Sequence, residues 1–518
     1  MKNLNTVMKD KLGQFKATKV KAAKEFRPSA PLKNVSGLIK AMEVNPMVNM
    51  TFTLNGAITP ESTGDKVLDF FSKSGALRNQ AETDILKLFG NAFSANEALA
   101  LRALFYARDV RGGQGERKTF RTCLAYLAKY YPEAVIRNLA CVPYFGRFDD
   151  LFALFGSNAE EDMMVYVNNC LAADLTSEKP SLLAKWMPSE NASSQESREQ
   201  ARKFAKFFGL TPKLYRKMLS YLRGKINIVE TFMCQHNWDK INYEHVPSRA
   251  SLLYKDAFKK HDSARYEAFV ADVVAGNKKI NASVLFPHEV VNKALTRYDA
   301  TVEALWKALP NYLEDKPGNR LVVCDVSGSM MNGTVLRPID VSTSLALYFA
   351  ERNEGIFKNY FITFSERPEL QKIEGDTLHE KLRNLTRSAW GMNTDLQAVF
   401  DLVLNKAIKH RVPVEEMPTE IYIISDMQFD ECTGNESTNF EGIKNKYNRA
   451  KYPMPKIIFW NVNAYVNNGS PVTKDEEGVV LVSGGTPAVV KEVLTGESTT
   501  PMDLMLEVLN SERYQIIK

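Results

Sequence analysis

The chain has 518 residues, of which 44% are hydrophobic and 25% charged, as in a globular protein with a large core and two or more domains. It has no run of 18 apolar residues and no apolar signal core, so neither a membrane span nor secretion is expected, and a cytoplasmic location is. Six widely spaced cysteines, at 123, 141, 170, 234, 324 and 432, form no C-x-x-C pair, which argues against a disulfide framework or a zinc cluster and for a reducing compartment.

Residues 1–50 read as a basic arm. Ten Lys or Arg in residues 1–40 face only Asp10 and Glu25, a local net charge of +8, so the other 478 residues sum to −2. A basic arm on a near-neutral body predicts contact with a polyanion, RNA most readily; the alternative is a solvated tail.

Residues 51–317 carry helical patterning nearly throughout. Between 97 and 109, Leu99, Leu101, Leu104 and Phe105 recur near helical spacing, and after Gly115 one face collects Phe120, Cys123, Leu124 and Leu127. Further helices are predicted over 194–208, 212–222, 226–234 and 265–275. Breaks fall at Gly112-Gly113, Pro132, Gly146, Pro188, Pro247 and Pro287. Many short helices with short links predict an α-helical repeat domain, a HEAT-like solenoid or ring, although no repeating consensus stands out.

After a linker at 315–319 the pattern changes. Residues 318–518 alternate short apolar runs (321–324, 360–364, 421–424, 456–460 and 479–482) with helical stretches (339–352, 396–409, 487–494 and 501–509). That alternation predicts a doubly wound α/β domain, so the fold class is multidomain α plus α/β.

The first of these runs ends in Asp325-Val326-Ser327-Gly328-Ser329, a D-x-S-x-S pattern at the carboxyl end of a strand, where α/β sheets place their sites. Trp390-Gly391-Met392-Asn393-Thr394-Asp395 opens a later helix and offers the Thr394 hydroxyl. The run at 421–424 ends in Ser425-Asp426, a second carboxylate. Oxygen ligands without Cys or His suit a hard cation: Mg²⁺, or else Ca²⁺ or Mn²⁺. In this order the residues resemble the metal-ion-dependent adhesion site of the von Willebrand factor A family. The resemblance implies that Asp325, Ser327, Ser329, Thr394 and Asp426 hold one divalent ion, with an open position for an acidic side chain or a phosphate.

Arg108-Asp109-Val110-Arg111-Gly112-Gly113-Gln114-Gly115-Glu116-Arg117-Lys118 is the densest motif of the helical part. It is no P-loop, because Arg117 stands where Gly is needed before Lys118 and the segment follows a helix. Arg111, Arg117, Lys118 and Arg121 near a helix start oppose its dipole unless an anion such as an RNA phosphate sits there; the other reading is an ion-pair network with Asp109, Glu116 or Asp149-Asp150. His236, His245, His261 and His288 read as packed or surface residues, and Trp186 and Trp238 as core anchors.

R-G-G-x-G-E-R, together with Tyr144-Phe145-Gly146-Arg147-Phe148-Asp149-Asp150 and Val246-Pro247-Ser248-Arg249-Ala250, resembles an uncharacterised domain-of-unknown-function family of phages, large DNA viruses, plants and fungi. The overall plan, helical repeats before an A-type domain, resembles the TROVE or Ro ribonucleoprotein family. That resemblance implies a non-enzymatic RNA-binding protein whose RNA is small and structured or single-stranded, with no RNA-contact residue transferable one by one. The alternative is a protein–protein adaptor that receives an acidic partner residue at its metal and has no RNA role. A phosphoryl-transfer enzyme is disfavoured, since the sequence positions no general base and contains no nucleotide loop.

Overall fold

The first element among the described residues is a small antiparallel hairpin, β1 (Met50–Phe52) and β2 (Ile58–Pro60), paired Met50↔Pro60 through Phe52↔Ile58. This computed structural model describes residues 49–316, 318–364, 368–387, 394–431, 438–467, 469–495 and 499–518. Residues 1–48 of the basic arm, Pro317 of the linker, and 390–393 of the loop before Thr394 lie outside them.

A helical part follows. Helix α1 (Lys66–Lys73) starts where Asp65 accepts from the backbone N–H of Val67 and Leu68, and it buries Val67, Leu68, Phe70 and Phe71. Helices α2 (Glu82–Ala95) and α3 (Glu97–Arg108) pack beside it and α4 (Lys118–Tyr130) packs on those two, with Asn96 capping α3 through the Leu99 N–H at 3.0 Å. Two one-turn helices, α5 (Pro132–Ile136) and α6 (Cys141–Phe145), lead to α7 (Glu160–Thr176) and α8 (Leu183–Trp186). Then come α9 (Gln195–Phe207), α10 (Pro212–Ile226), α11 (Val229–Cys234), α12 (Ser248–His261), α13 (Ser263–Val274), α14 (Pro287–Ala294) and α15 (Ala300–Lys307). The helices expected from periodicity are all present, with ends shifted by a few residues, as caps and frayed turns allow.

The six-stranded sheet comprises β3 (Arg320–Cys324), β4 (Tyr360–Thr363), β5 (Leu370–Lys372), β6 (Glu420–Ser425), β7 (Lys456–Asn461) and β8 (Val479–Ser483). Its order is β5-β4-β3-β6-β7-β8, parallel except that β5 runs antiparallel to β4. The edge strand β5 (Leu-Gln-Lys) carries no apolar run, so nothing in the pattern announced it. Between the strands lie α16 (Pro338–Arg352), α17 (Leu378–Arg387), α18 (Leu396–His410) and α19 (Asn439–Ala450), and after β8 come α20 (Val490–Thr495) and α21 (Pro501–Leu509).

Each buried strand feeds two cores in alternation, as the two-residue period of a strand dictates. Leu321, Val323, Ile421, Ile423, Ile457 and Phe459 face a core closed by α18 and α19. Val322, Cys324, Tyr422, Ile424, Ile458 and Trp460 face the other side, in a core that continues without a break into the helical part as far as Val67. Residues 49–518 accordingly cluster as one unit. Among the described residues no helix is long and apolar enough to cross a membrane, and the five cysteines are free thiols.

Candidate metal centre

β3 and β6 are parallel neighbours in register, Cys324 against Ile424, so the residues that follow each strand emerge side by side. The Asp325 N–H donates to the Ile424 carbonyl at 3.0 Å. The Asp325 carboxylate is fully buried; one oxygen accepts from the Ser327 N–H at 2.9 Å and the other from the Ser425 hydroxyl at 2.6 Å. The hydroxyls of Ser327 and Ser329 lie 3.1 Å apart. Asp426, 1% exposed, accepts from the Gln428 N–H at 3.2 Å on Oδ1, while its Oδ2 is buried without a hydrogen-bond partner.

The electrostatics of this pair follow from burial. Desolvation, then the nearby Asp325 charge, push Asp426 up to about 7, against a smaller opposing pull from the Ser329 hydroxyl. Desolvation also raises Asp325, which its bonds from Ser425 and Ser327 oppose and the charge of Asp430 reinforces. The charges acting on the pair are therefore carboxylates. Among the described residues no three His, Cys, Asp or Glu side chains group as metal ligands would. A cation here would rest on two carboxylates completed by hydroxyls, a hard-oxygen donor set.

Thr394 is fully buried just before α18, but its contacts differ from those of the other four residues. Its N–H donates to Asp430 Oδ2 at 2.7 Å, and its hydroxyl lies 3.0 Å from Asp430 Oδ1 and 2.8 Å from the Gln428 carbonyl. The Asn55 side-chain amide donates to the same hydroxyl at 3.0 Å. The structure thus brings Asp325, Ser327, Ser329 and Asp426 together and ties Thr394 to Asp430 and Asn55. Sequence reasoning missed both of these. Asp430 had a signal, four residues after Asp426 in the same loop; Asn55 had none, being 339 residues from Thr394.

The Arg/Gly motif is a junction between the helical part and the chain terminus. Asp109, fully buried, accepts from the N–H groups of Arg111 and Gly112, from both the Nε and Nη2 of Arg513, and from the Tyr514 hydroxyl at 3.0 Å. Gln114 bonds Ser74 and Ser483, and Glu116 pairs with Arg78 at 3.0 Å. A Cβ on Gly113 would stand 2.1 Å from the Tyr106 carbonyl, so close backbone approach alone requires glycine there.

Of the four cations singled out, Arg121 sits in an ion-pair network, 2.6 Å from Asp150 and 2.8 Å from Asp149. Lys118 donates to the carbonyls of Gln80 at 2.6 Å and Arg78 at 3.2 Å. The ion-pair reading therefore describes Arg121, and Lys118 is held by backbone. Arg111, exposed, reaches the Tyr144 carbonyl at 3.2 Å. Arg117 is exposed; partial burial and then the charges of Arg121 and Arg147 hold its guanidinium below the usual value. Arg147 lies 4.0 Å over the Trp186 ring. Trp186 is half-buried under Arg147 rather than in the core, whereas Trp238, also half-buried, packs against the core and stacks on His261 at 4.7 Å.

Residues 53–163 and 179–315 match a domain of unknown function (DUF2828), and residues 319–514 match another (DUF7788). Among solved structures, the RO (RSR) protein of Deinococcus radiodurans aligns over 86% of this chain and 99% of its own, at 16% identity and a TM-score of 0.45. The uncharacterized protein L728 of Acanthamoeba polyphaga mimivirus is 30% identical over 511 residues, spanning 89% of this chain and 88% of that one. With that identity over nearly the whole of both chains, this protein belongs to the same family as the mimivirus protein.

Proposed function

We propose that this is a Ro-like RNA-binding protein whose α/β part is a von Willebrand factor A-type domain that engages a ligand through one hard divalent cation, Mg²⁺ or else Ca²⁺ or Mn²⁺. The observation that carries the ion is the buried carboxylate pair, Asp325 and Asp426, with Asp426 Oδ2 buried without a hydrogen-bond partner and the charge of Asp325 beside it. Burying such charges is costly unless a counter-charge meets them. Asp325, Ser327, Ser329 and Asp426 would hold the ion, with Thr394 as the fifth oxygen. Two carboxylates neutralise its charge while hydroxyls and water donate weakly. The ion therefore stays electrophilic and takes an acidic side chain of a partner, or a phosphate. The site binds rather than catalyses.

RNA binding is supported by the +8 charge of residues 1–40, by the exposed Arg117 near Arg147, whose guanidinium lies on Trp186, and by the exposed Arg111. Guanidinium groups beside an aromatic face suit phosphates and stacked bases. The test is to sequence co-purifying RNA and to measure its binding at rising salt. Arg111→Ala/Arg117→Ala, which spares the buried network, should weaken binding and flatten the salt slope. Binding that is absent or insensitive to salt refutes the RNA role. Partner capture that EDTA abolishes and nuclease leaves intact would leave the adaptor reading standing.

A further inference from the structure

The hairpin β1–β2 lies against the ion-site loop in an unusual way. Two strands of three residues are too short to be stable alone, so docking must hold them. Yet the large apolar side chains near the tip point away: Phe52 is 55% and Leu54 67% exposed. What faces the site is polar. The Thr53 hydroxyl donates to the Phe429 carbonyl at 2.7 Å, and the Leu54 N–H to Gln428 Oε1 at 2.9 Å. The Asn55 amide donates both to the Gln428 carbonyl at 2.7 Å and to Thr394 Oγ1 at 3.0 Å. Gly56 forms an antiparallel bridge with Asp430. Every residue from 53 to 56 thus bonds to Thr394 or to the loop that follows Asp426.

That loop needs holding. Met427, directly after Asp426, has φ of +65°, a left-handed conformation that a side chain bearing Cβ adopts only under constraint. Its N–H donates to the Ser425 hydroxyl at 3.0 Å, the same hydroxyl that donates to Asp325. The loop's strain, the Asp325 carboxylate and the hairpin contacts therefore belong to one hydrogen-bonded assembly.

We infer that Asn55 is a positioning residue of the ion site, and that the docked hairpin preorganises Thr394 and residues 426–430 for the cation. The inference rests on the ion reading above. It follows that hairpin docking and ion binding favour each other, because coupling between two sites is reciprocal.

The probe is Mn²⁺ alone, titrated into the full chain and followed by its free-ion electron resonance signal. Asn55→Ala and Asn55→Leu should each weaken Mn²⁺ affinity on the order of tenfold or more, the usual effect of removing a group that orients a metal ligand. Asn55→Leu keeps nearly the size and shape of the side chain and adds no charge but loses both N–H donations, so it separates donation from packing. The metal-free melting temperature reports whether each variant folds. A second measurement needs no variant: in the wild-type chain, Mn²⁺ should slow amide hydrogen exchange over residues 50–60. Mn²⁺ binding unchanged in both variants, or exchange in the hairpin unchanged or faster with the ion bound, overturns the inference while leaving the ion site intact. A wild-type chain that binds no Mn²⁺ overturns the ion site and this inference together.

Discussion

Replacing Asp426 by Asn should stabilise the metal-free protein while removing its response to Mg²⁺. Asp426 is 1% exposed, has one oxygen without a partner, and sits beside a second buried carboxylate. A buried, unpaired charge costs several kcal/mol even after relaxation, and Asn removes the charge at nearly constant shape. The sign follows from the folded carboxyl lying at about 7, above its ordinary 3.8. Between those values the unfolded chain gives up a proton that the folded chain keeps. Wild-type stability without metal therefore falls as pH rises through that window, and the handicap is complete above it. At pH 8 in EDTA the variant should be the more stable by about 2 kcal/mol or more. With Mg²⁺ at a hundredfold excess over its dissociation constant, the wild type should gain about 2.7 kcal/mol and the variant nothing. Thermal melting at pH 8, with EDTA and then with Mg²⁺, should show the variant's lead shrink by that amount. A variant that melts no higher than the wild type in EDTA would mean that Asp426 already has a counter-charge and that the reasoning is wrong.

Two further outcomes concern the frame that carries the site. Burial holds His288, whose Nδ1 has no partner, down to about 3, so the folded state keeps it neutral. Its stabilising effect is complete above the ordinary value of 6.5 and drains away as pH falls from there toward 3, by about 1.4 kcal/mol per pH unit. Denaturant titrations at pH 7, 6 and 5 should show that extra acid sensitivity in the wild type and not in His288→Phe; equal slopes count against it. Asp150, fully buried, accepts from Arg108 at 2.7 Å, Arg121 at 2.6 Å and the Arg147 N–H at 3.0 Å. Asp150→Ala strands the buried Arg108 guanidinium and should cost about 3–5 kcal/mol, read as a lowered denaturation midpoint; a loss under 1 kcal/mol would show that water replaces the carboxylate.

About half of the described helices and five of the six sheet strands were legible, because an apolar run or a helical stripe records which faces must leave water. Asp325 and Asp426 were legible for the same reason: each follows a run that had to be a buried strand, and the carboxyl ends of parallel strands lie together. β5 was not, since an edge strand with a polar sequence buries too little to leave a pattern. Thr394 was identified as a hydroxyl near the site, but its clamp by Asp430 and Asn55 was invisible. In the sequence the Arg/Gly motif offers either an anion cradle or an ion-pair network, and its role as a junction depends on Arg513 and Tyr514, some 400 positions further along.

By itself, then, the order of residues determined local conformation and the strand ends from which the carboxylates emerge, since both follow from periods of a few residues. Only the tertiary structure decided what stands opposite them: a hairpin tip at residues 53–56 over the loop after β6, and a core shared between helices and sheet. Such contacts join residues hundreds of positions apart through single hydrogen bonds and shape, which leave no periodic trace in the sequence.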